Sequence, residues 1–155
     1  MKITVFALAD KEYGVDISQV LEVIRMREIT PVPDAADSVA GVISLRGKVI
    51  PVVGLRKKLG LEEKALSKLN RMIITHVNSH TVGVIVDSVS DVLSIEEAEI
   101  TPPDEILKKA KYLIGVGKTG KRLILLVEME KLLSEKEKTS ISKVEKRVEV
   151  RKKEK

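Results

Sequence analysis

The sequence predicts an all-β protein built from two small, related five-stranded barrels. Three observations carry that prediction. A β-branched stretch from Gly41 to Leu55 is split by a glycine turn, the second half of the chain repeats the first, and no long amphipathic helix interrupts either half.

The stretch reads Gly-Val-Ile-Ser-Leu-Arg-Gly-Lys-Val-Ile-Pro-Val-Val-Gly-Leu. Two runs, Val42 to Leu45 and Val49 to Val53, flank Arg46-Gly47-Lys48. Short Val- and Ile-rich runs around a glycine predict a β-hairpin. Arg46 then stands at its tip, with the guanidinium held outward. Pro51 lacks an N–H, which places that point of the second strand at an edge or a bulge.

The remaining elements follow in order. Residues 3–9 are an apolar strand, turned by Ala9-Asp10-Lys11-Glu12. Tyr13-Gly14-Val15-Asp16-Ile17 is a second strand, and Val20 to Met26 a third, bent one. Thr30-Pro31-Val32-Pro33-Asp34 opens a loop, because each proline pushes its predecessor out of the helical region. Leu55 to Leu59 makes a short helix ending at Gly60, and 61–69 is a polar connector.

Gly14-Val-Asp-Ile-Ser-Gln-Val-Leu-Glu-Val-Ile then aligns without gaps on Gly83-Val-Ile-Val-Asp-Ser-Val-Ser-Asp-Val-Leu, and Val20 falls on Val89. Ile3-Thr-Val-Phe falls on Met72-Ile-Ile-Thr, and Asp10-Lys11 on Ser79-His80. Gly41-Val42 matches Gly115-Val116, and Val49-Ile-Pro-Val-Val-Gly-Leu matches Leu123-Ile-Leu-Leu-Val-Glu-Met. Each half alone would be marginal in size, so the two are expected to share a seam or exchange strands. Residues 1–133 are read as one domain of two subdomains, about 1–68 and 69–133.

Residues 134–155 lie outside the repeat and hold nine Lys/Arg and five Glu, which is +4 of the chain's net +5. The body is therefore almost neutral, and only the tail is basic. Ile141, Val144 and Val148 share one face at helical spacing, but so narrow a stripe offsets little ordering entropy. The tail is expected to be disordered or a frayed helix, and its removal to leave the thermal midpoint nearly unchanged.

Composition excludes several functions. The chain of 155 residues has no cysteine, so disulfides, thiolate chemistry and Cys-ligated metals are ruled out. No apolar run approaches the roughly 20 residues of a membrane span, and Met-Lys-Ile-Thr-Val-Phe lacks a signal-peptide layout. Phe6, Tyr13 and Tyr112 are too few rings for a base-stacking platform. Scarce amides and abundant charge hint at a thermophile.

Three motifs invite a chemical reading. Gly115-Val-Gly-Lys-Thr-Gly120-Lys121 has the spacing of a phosphate-binding loop. Arg122 then stands where Ser or Thr should bind Mg²⁺, and a strand-like run follows in place of a helix. A hairpin turn accounts for it, so no nucleotide is assigned. His76 and His80 flank a turn without a third ligand, so no metal is assigned. No carboxylate pair occupies visibly separated environments, so no catalytic residue and no enzyme activity are read. Surfaces remain. A seam between two barrels is a natural groove for a partner helix, and Ile17, Val20, Val23 and Val89 occupy related repeat positions as candidate walls.

The wording of the hairpin, Gly-Val-Ile-Ser-Leu-Arg-Gly-Lys-Val-Ile-Pro-Val-Val-Gly-Leu-Arg, closely resembles the signature of the CheW family of bacterial chemotaxis coupling proteins. Tyr13-Gly14-Val-Asp-Ile and Thr30-Pro31-Val32-Pro33 are family-like too, and the resemblance runs from about Ile3 to Leu133. Ser44 replaces the family's usual Asn, and Gly54 its usual Asp or Asn, which bears on hydrogen bonding in the hairpin rather than on the fold.

The resemblance implies two SH3-like five-stranded barrels with short connecting helices. It implies a non-catalytic cytoplasmic adaptor, without cofactor, at membrane-associated receptor arrays. Its partners would be the helical tip of a chemoreceptor, held between the barrels, and the regulatory domain of the histidine kinase CheA. Ile17, Val20, Val23, Arg46 and Val89 would then face the receptor, and Glu22 and Gly41 the kinase. Alternatives are the scaffold of a non-motility chemosensory pathway, the CheW-like part of a larger kinase or fused coupler, and a small nucleic-acid-binding barrel.

Overall fold

The computed structural model describes residues 1–33, 35–77, 79–104, 110–133 and 141. The first half contributes strands β1 (Lys2–Leu8), β2 (Lys11–Asp16), β3 (Val20–Arg25), β4 (Val39–Leu45) and β5 (Lys48–Gly54), then a one-turn helix α1 (Leu55–Lys58). The second half contributes β6 (Arg71–Val77), β7 (His80–Val86), β8 (Ser88–Ser94), β9 (Ile100–Thr101), β10 (Leu113–Thr119), β11 (Arg122–Val127) and helix α2 (Met129–Leu132). The protein is all-β, in two sheets.

Neither sheet is made from one half alone. The five-stranded sheet runs β3-β6-β7-β5-β4, and the six-stranded sheet β8-β1-β2-β11-β10-β9. The β6–β7 hairpin of the second half sits inside the first half's sheet, and β1–β2 does the reverse. The two exchanges have the same register. Val52 lies parallel to Gly83, and Leu126 lies parallel to Gly14 at the matching repeat positions.

The repeat preserves irregularities as well as strands. A bulge skips Leu21 where β3 meets β6, and the matching bulge skips Ser90 where β8 meets β1. Another pair skips Ala40 in β4 and Ile114 in β10. Thr30 bridges Val42 through two backbone bonds of 2.9 Å, where Thr101 of β9 meets Val116. The sixth strand is thus the extended form of a contact that in the first half is one bridge.

The exchanged hairpins explain the apolar runs. Phe6, Leu8, Tyr13, Val15, Ile73, Val84 and Val86 share a cluster at the seam with residues from α1 and α2. On their other faces, Ile3 and Val5 join a core with Ile124 and Leu126, while Met72 and Ile74 join one with Ile43 and Val52. Strands buried on both faces read as continuous apolar runs rather than alternations. Phe6 and Tyr13 pair across β1 and β2 with stacked rings 5.5 Å apart. Gly14 leaves no room for a side chain, since a Cβ there would sit 2.7 Å from the end of Ile3.

Pro51 lies at a locally unpaired side of its strand, as its missing N–H predicts. β5 is an interior strand, but its ladder to β7 begins only at Val52, so the missing N–H leaves no ladder bond unmade. Gly54 precedes α1 without a side-chain cap, and its N–H donates to the Ser38 carbonyl at 2.8 Å. The phosphate-loop spacing at 115–121 lies in the β10–β11 hairpin, with Gly120 at φ 61°.

A polar clasp also joins the halves. Arg56 of α1 donates through Nε and Nη2 to both carboxylate oxygens of Asp87, at 2.7 and 2.6 Å. Asp87 Oδ2 accepts from the Ala9 N–H in the β1–β2 turn at 2.9 Å. The Arg56 guanidinium, with help from that N–H, holds the Asp87 carboxyl below its usual range against the opposing effect of burial.

Of the C-terminal tail, only Ile141 lies among the described residues. It is helical and 1% exposed, packed with Ala36, Val39, Val53, Val77, Val82 and Leu133. The expectation that the stripe buries too little fails at this residue, because the first-half sheet supplies an apolar recess for it. The truncation forecast changes accordingly. Ile141→Ala should cost about 2–5 kcal/mol of stability, the range for a large buried aliphatic. Denaturant unfolding checks this, and an unchanged midpoint with unchanged slope would return the tail to a dispensable role.

Candidate functional site

The two edge strands of the five-stranded sheet, β3 and β4 with its hairpin to β5, carry most of the residues that the sequence singles out, and Arg46 and Glu22 bring them together. Strand β3 alternates half-buried and exposed positions from Val20 to Arg25, as expected for a strand with one solvated face. Val23 is 38% exposed and Ile17, in the 3-10 turn before β3, 43%. Val20 and Val89 are partly buried and pack against the seam cluster, so the duplication brings these two to one apolar core. None of the four is a fully buried core residue. Exposed apolar side chains beside a seam are what a partner-binding wall requires.

Leu21 joins this surface and sequence reasoning missed it. It is 51% exposed because the β3 bulge leaves it unpaired against β6. The signal was its match to Ser90, a polar residue at the same repeat position and also exposed.

Arg46 and Glu22 meet directly. Arg46 Nη1 donates to Glu22 Oε1 at 2.8 Å and Nη2 to Oε2 at 2.7 Å, a bidentate pair. The Arg46 side chain remains 72% exposed. The sequence reading gave the two residues to separate partners and left the guanidinium free, whereas here they form one ion pair across the sheet edge. Hydrogen bonding from Arg46 holds the Glu22 carboxyl below its usual range, with Arg27 assisting. Arg27 also donates to the Ser44 carbonyl at 3.2 Å, so the position where Ser replaces Asn is held through its backbone.

Backbone geometry aims Arg46. Arg46 and Gly47 have φ values of 48° and 77°, the two left-handed residues of a tight hairpin turn. Glycine would adopt that conformation without strain at either position, and arginine does not. In the second half the turn is Gly120-Lys121, with only Gly120 left-handed. There, Asp91 at the Glu22 position is held by Arg122, which also grips Glu12 through Nη2 at 2.6 Å. Those two carboxylates raise the Arg122 pKa. The carboxylate at this repeat position is clamped in both halves, by arginines from different points of the hairpin.

Gly41 serves the strands around it. Its φ is 146°, and a Cβ would lie 2.2 Å from the Thr30 carbonyl oxygen. A side chain at Gly41 would force apart the bridge between Thr30 and Val42. His76 is exposed and His80 half-buried, and no group of three or more His, Asp or Glu side chains could hold a metal among the described residues. No helix among them is long and apolar enough to cross a membrane.

An exposed apolar edge, a clamped carboxylate and a presented arginine define a protein that binds other proteins. Residues 2–137 match the CheW-like domain family model. The chain is 35% identical to Chemotaxis protein CheW of Klebsiella aerogenes, covering 92% of this chain and 87% of that protein. It is also 35% identical to Chemotaxis protein CheW of Thermotoga maritima, covering 84% and 85% respectively. The crystal structure of the scaffolding protein TtCheW from Thermoanaerobacter tengcongensis superposes with a TM-score of 0.80 at 36% identity, over 88% of this chain and 94% of that one.

The chain belongs to the CheW family. It is a chemotaxis scaffold of the kind that couples receptors to the kinase CheA.

Gly41→Ala tests the steric reading. It should lower stability by about 2 kcal/mol or more, through strain at a left-handed residue and loss of the bridge. A Gly41→Ala protein that unfolds like the parent yet loses kinase binding would instead make Gly41 a contact residue.

Proposed function

We propose that this chain is a non-catalytic adaptor whose first-half edge meets two partners at adjoining positions. The receptor's helical tip packs on Ile17, Val20, Val23 and Val89, with Arg46 at the rim. The kinase regulatory domain meets Glu22 and the β4 strand that begins near Gly41. The observation that carries the reading is the bidentate Arg46–Glu22 pair. It links the residue assigned to one partner with the residue assigned to the other, so a partner that competes for the guanidinium also releases the carboxylate. Such a contact acts on partner choice and coupling more than on stability, because exposed ion pairs are screened by water. The working place that follows is the cytoplasmic face of a receptor array, with 1–133 and the packed Ile141 as the folded adaptor body.

The pair makes specific demands on variants. Arg46→Ala should leave the unfolding midpoint within a degree or two and weaken binding to a receptor-tip fragment roughly tenfold, since a bidentate guanidinium contact is not replaced by water. Arg46→Lys should recover only part of that loss, because a point charge lacks the planar fork. Glu22→Gln should reduce affinity for the kinase regulatory domain more than for the receptor tip. The double variant should lose less than the two single losses combined, since one pair is removed twice. Titrations against each partner separately decide the matter. Equal losses for both partners from both single variants would contradict the division, and additive losses would dissolve the coupling.

A further inference from the structure

Strands β3 and β6 set two arginines side by side. Arg25 and Arg71 are direct partners in the antiparallel ladder, so their side chains leave the same face of the sheet. Two residues along, Val23 partners Ile73 on that same face, and Ile73 belongs to the seam cluster. The arginines therefore continue the apolar wall of Val20 and Val23 at its far end. Arg25 is exposed and Arg71 half-buried.

Like charges directly opposite one another cost stability rather than add to it. Among the described residues no carboxylate pairs with either arginine. Glu22 of the same strand is taken by Arg46, and the flanking Arg27 and Lys68 add positive charge. Arg71 is also held in place. Its Nη1 donates to the Lys68 carbonyl at 2.7 Å and to the Asn70 carbonyl at 2.8 Å. A guanidinium has five N–H donors, and these bonds occupy only the Nη1 end. The Nε–Nη2 edge stays open among the described residues, and such an edge grips a carboxylate with two parallel bonds.

We propose that Arg25 and Arg71 read a carboxylate on the helix that docks against Val20 and Val23, which rests on the reading of that face as the receptor's wall. Two strand residues span roughly 6.6 Å and one helical turn about 5.4 Å. A helix lying along β3 thus presents its Asp or Glu about one turn beyond the apolar side chain that meets Val23. The apolar wall sets affinity, and the arginine pair selects the register of the helix, since a one-turn slip leaves both charges unpaired. The cost of the like-charged pair in the free protein is relieved on binding.

The full chain is titrated with a helical receptor-tip fragment, as parent, Arg25→Gln, Arg71→Gln and the double variant. Each single substitution weakens binding at low salt, and the double does so roughly tenfold, as when charge-assisted bonds are lost. The difference shrinks in molar salt. The unfolding midpoint stays at or above the parent's, because the repulsion is gone. Should Arg71→Gln lower it by freeing the Lys68 and Asn70 carbonyls, Arg25→Gln, which touches neither, decides. Changing each Asp and Glu of the fragment to its amide in turn should reveal one that weakens binding to the parent and not to the double variant. Parent-like affinity of the double variant would overturn the proposal. So would equal weakening for every amide-substituted fragment, or a loss confined to phosphatidylserine vesicles, since lipid headgroups would then be the arginines' anion. Val23→Asn separates the site from the wall. If it weakens tip binding while the arginine variants do not, the wall stands and the carboxylate site falls. If all of these variants bind like the parent, the wall falls and takes the site with it.

Discussion

Everything in this fold depends on the seam where two hairpins lie buried on both faces. Phe6, Leu8, Tyr13 and Val15 meet Ile73, Val84 and Val86 there, while the opposite faces of the same strands complete the two separate cores. A half of some 60 residues would be marginal by itself. Exchange answers this by giving each sheet two interior strands with apolar residues on both sides. The requirement is strict at Gly14, because a strand with two packed faces has no solvent side toward which a neighbour can shift.

With the centre committed to packing, the exposed apolar and charged groups lie at the edges. Strands β3 and β8 occupy equivalent places, carry the same bulge, and end up chemically different. β3 presents Leu21 and Val23 around a carboxylate bound from the hairpin tip, and β8 presents Ser90 and Val92 around a carboxylate bound from within β11. The duplication thus supplies two similar frames with distinct faces, which an adaptor with more than one partner needs.

Much of the fold was legible because its strongest signals are local. The Arg46-Gly47 turn, the runs around it and the one-turn helix ending near Gly60 are set by β-branching and glycine. The repeat was legible because the bulges fall at matching positions and so preserve its two offsets. The partner of Arg46 was not legible. Glu22 lies 24 residues away on a strand that reaches the hairpin only because the sheet curves, and no periodicity encodes that approach. The burial of Ile141 was hidden for the same reason, since its recess is assembled from four distant segments. The repeat marked Ile17, Val20, Val23 and Val89 as candidate walls of a seam, but their assignment to a receptor came from family wording, because a valine at an exposed edge looks like any other valine in a strand.

The exchange of hairpins also sets the order in which the protein can be made. In the five-stranded sheet, β3 and β5 are joined only through β6 and β7. A nascent chain that has emerged to Gly60 therefore holds three strands of a sheet without its middle, and their apolar faces wait for residues up to Val86. The other sheet waits longer, since β2 finds its second neighbour only when β11 arrives. Partners that lie far apart in sequence must close large loops before any contact rewards them, so the seam forms late and cooperatively. During synthesis the unfinished edges of β2 and β5 are open to any other strand, and a neighbouring nascent copy carries the strand that fits them best.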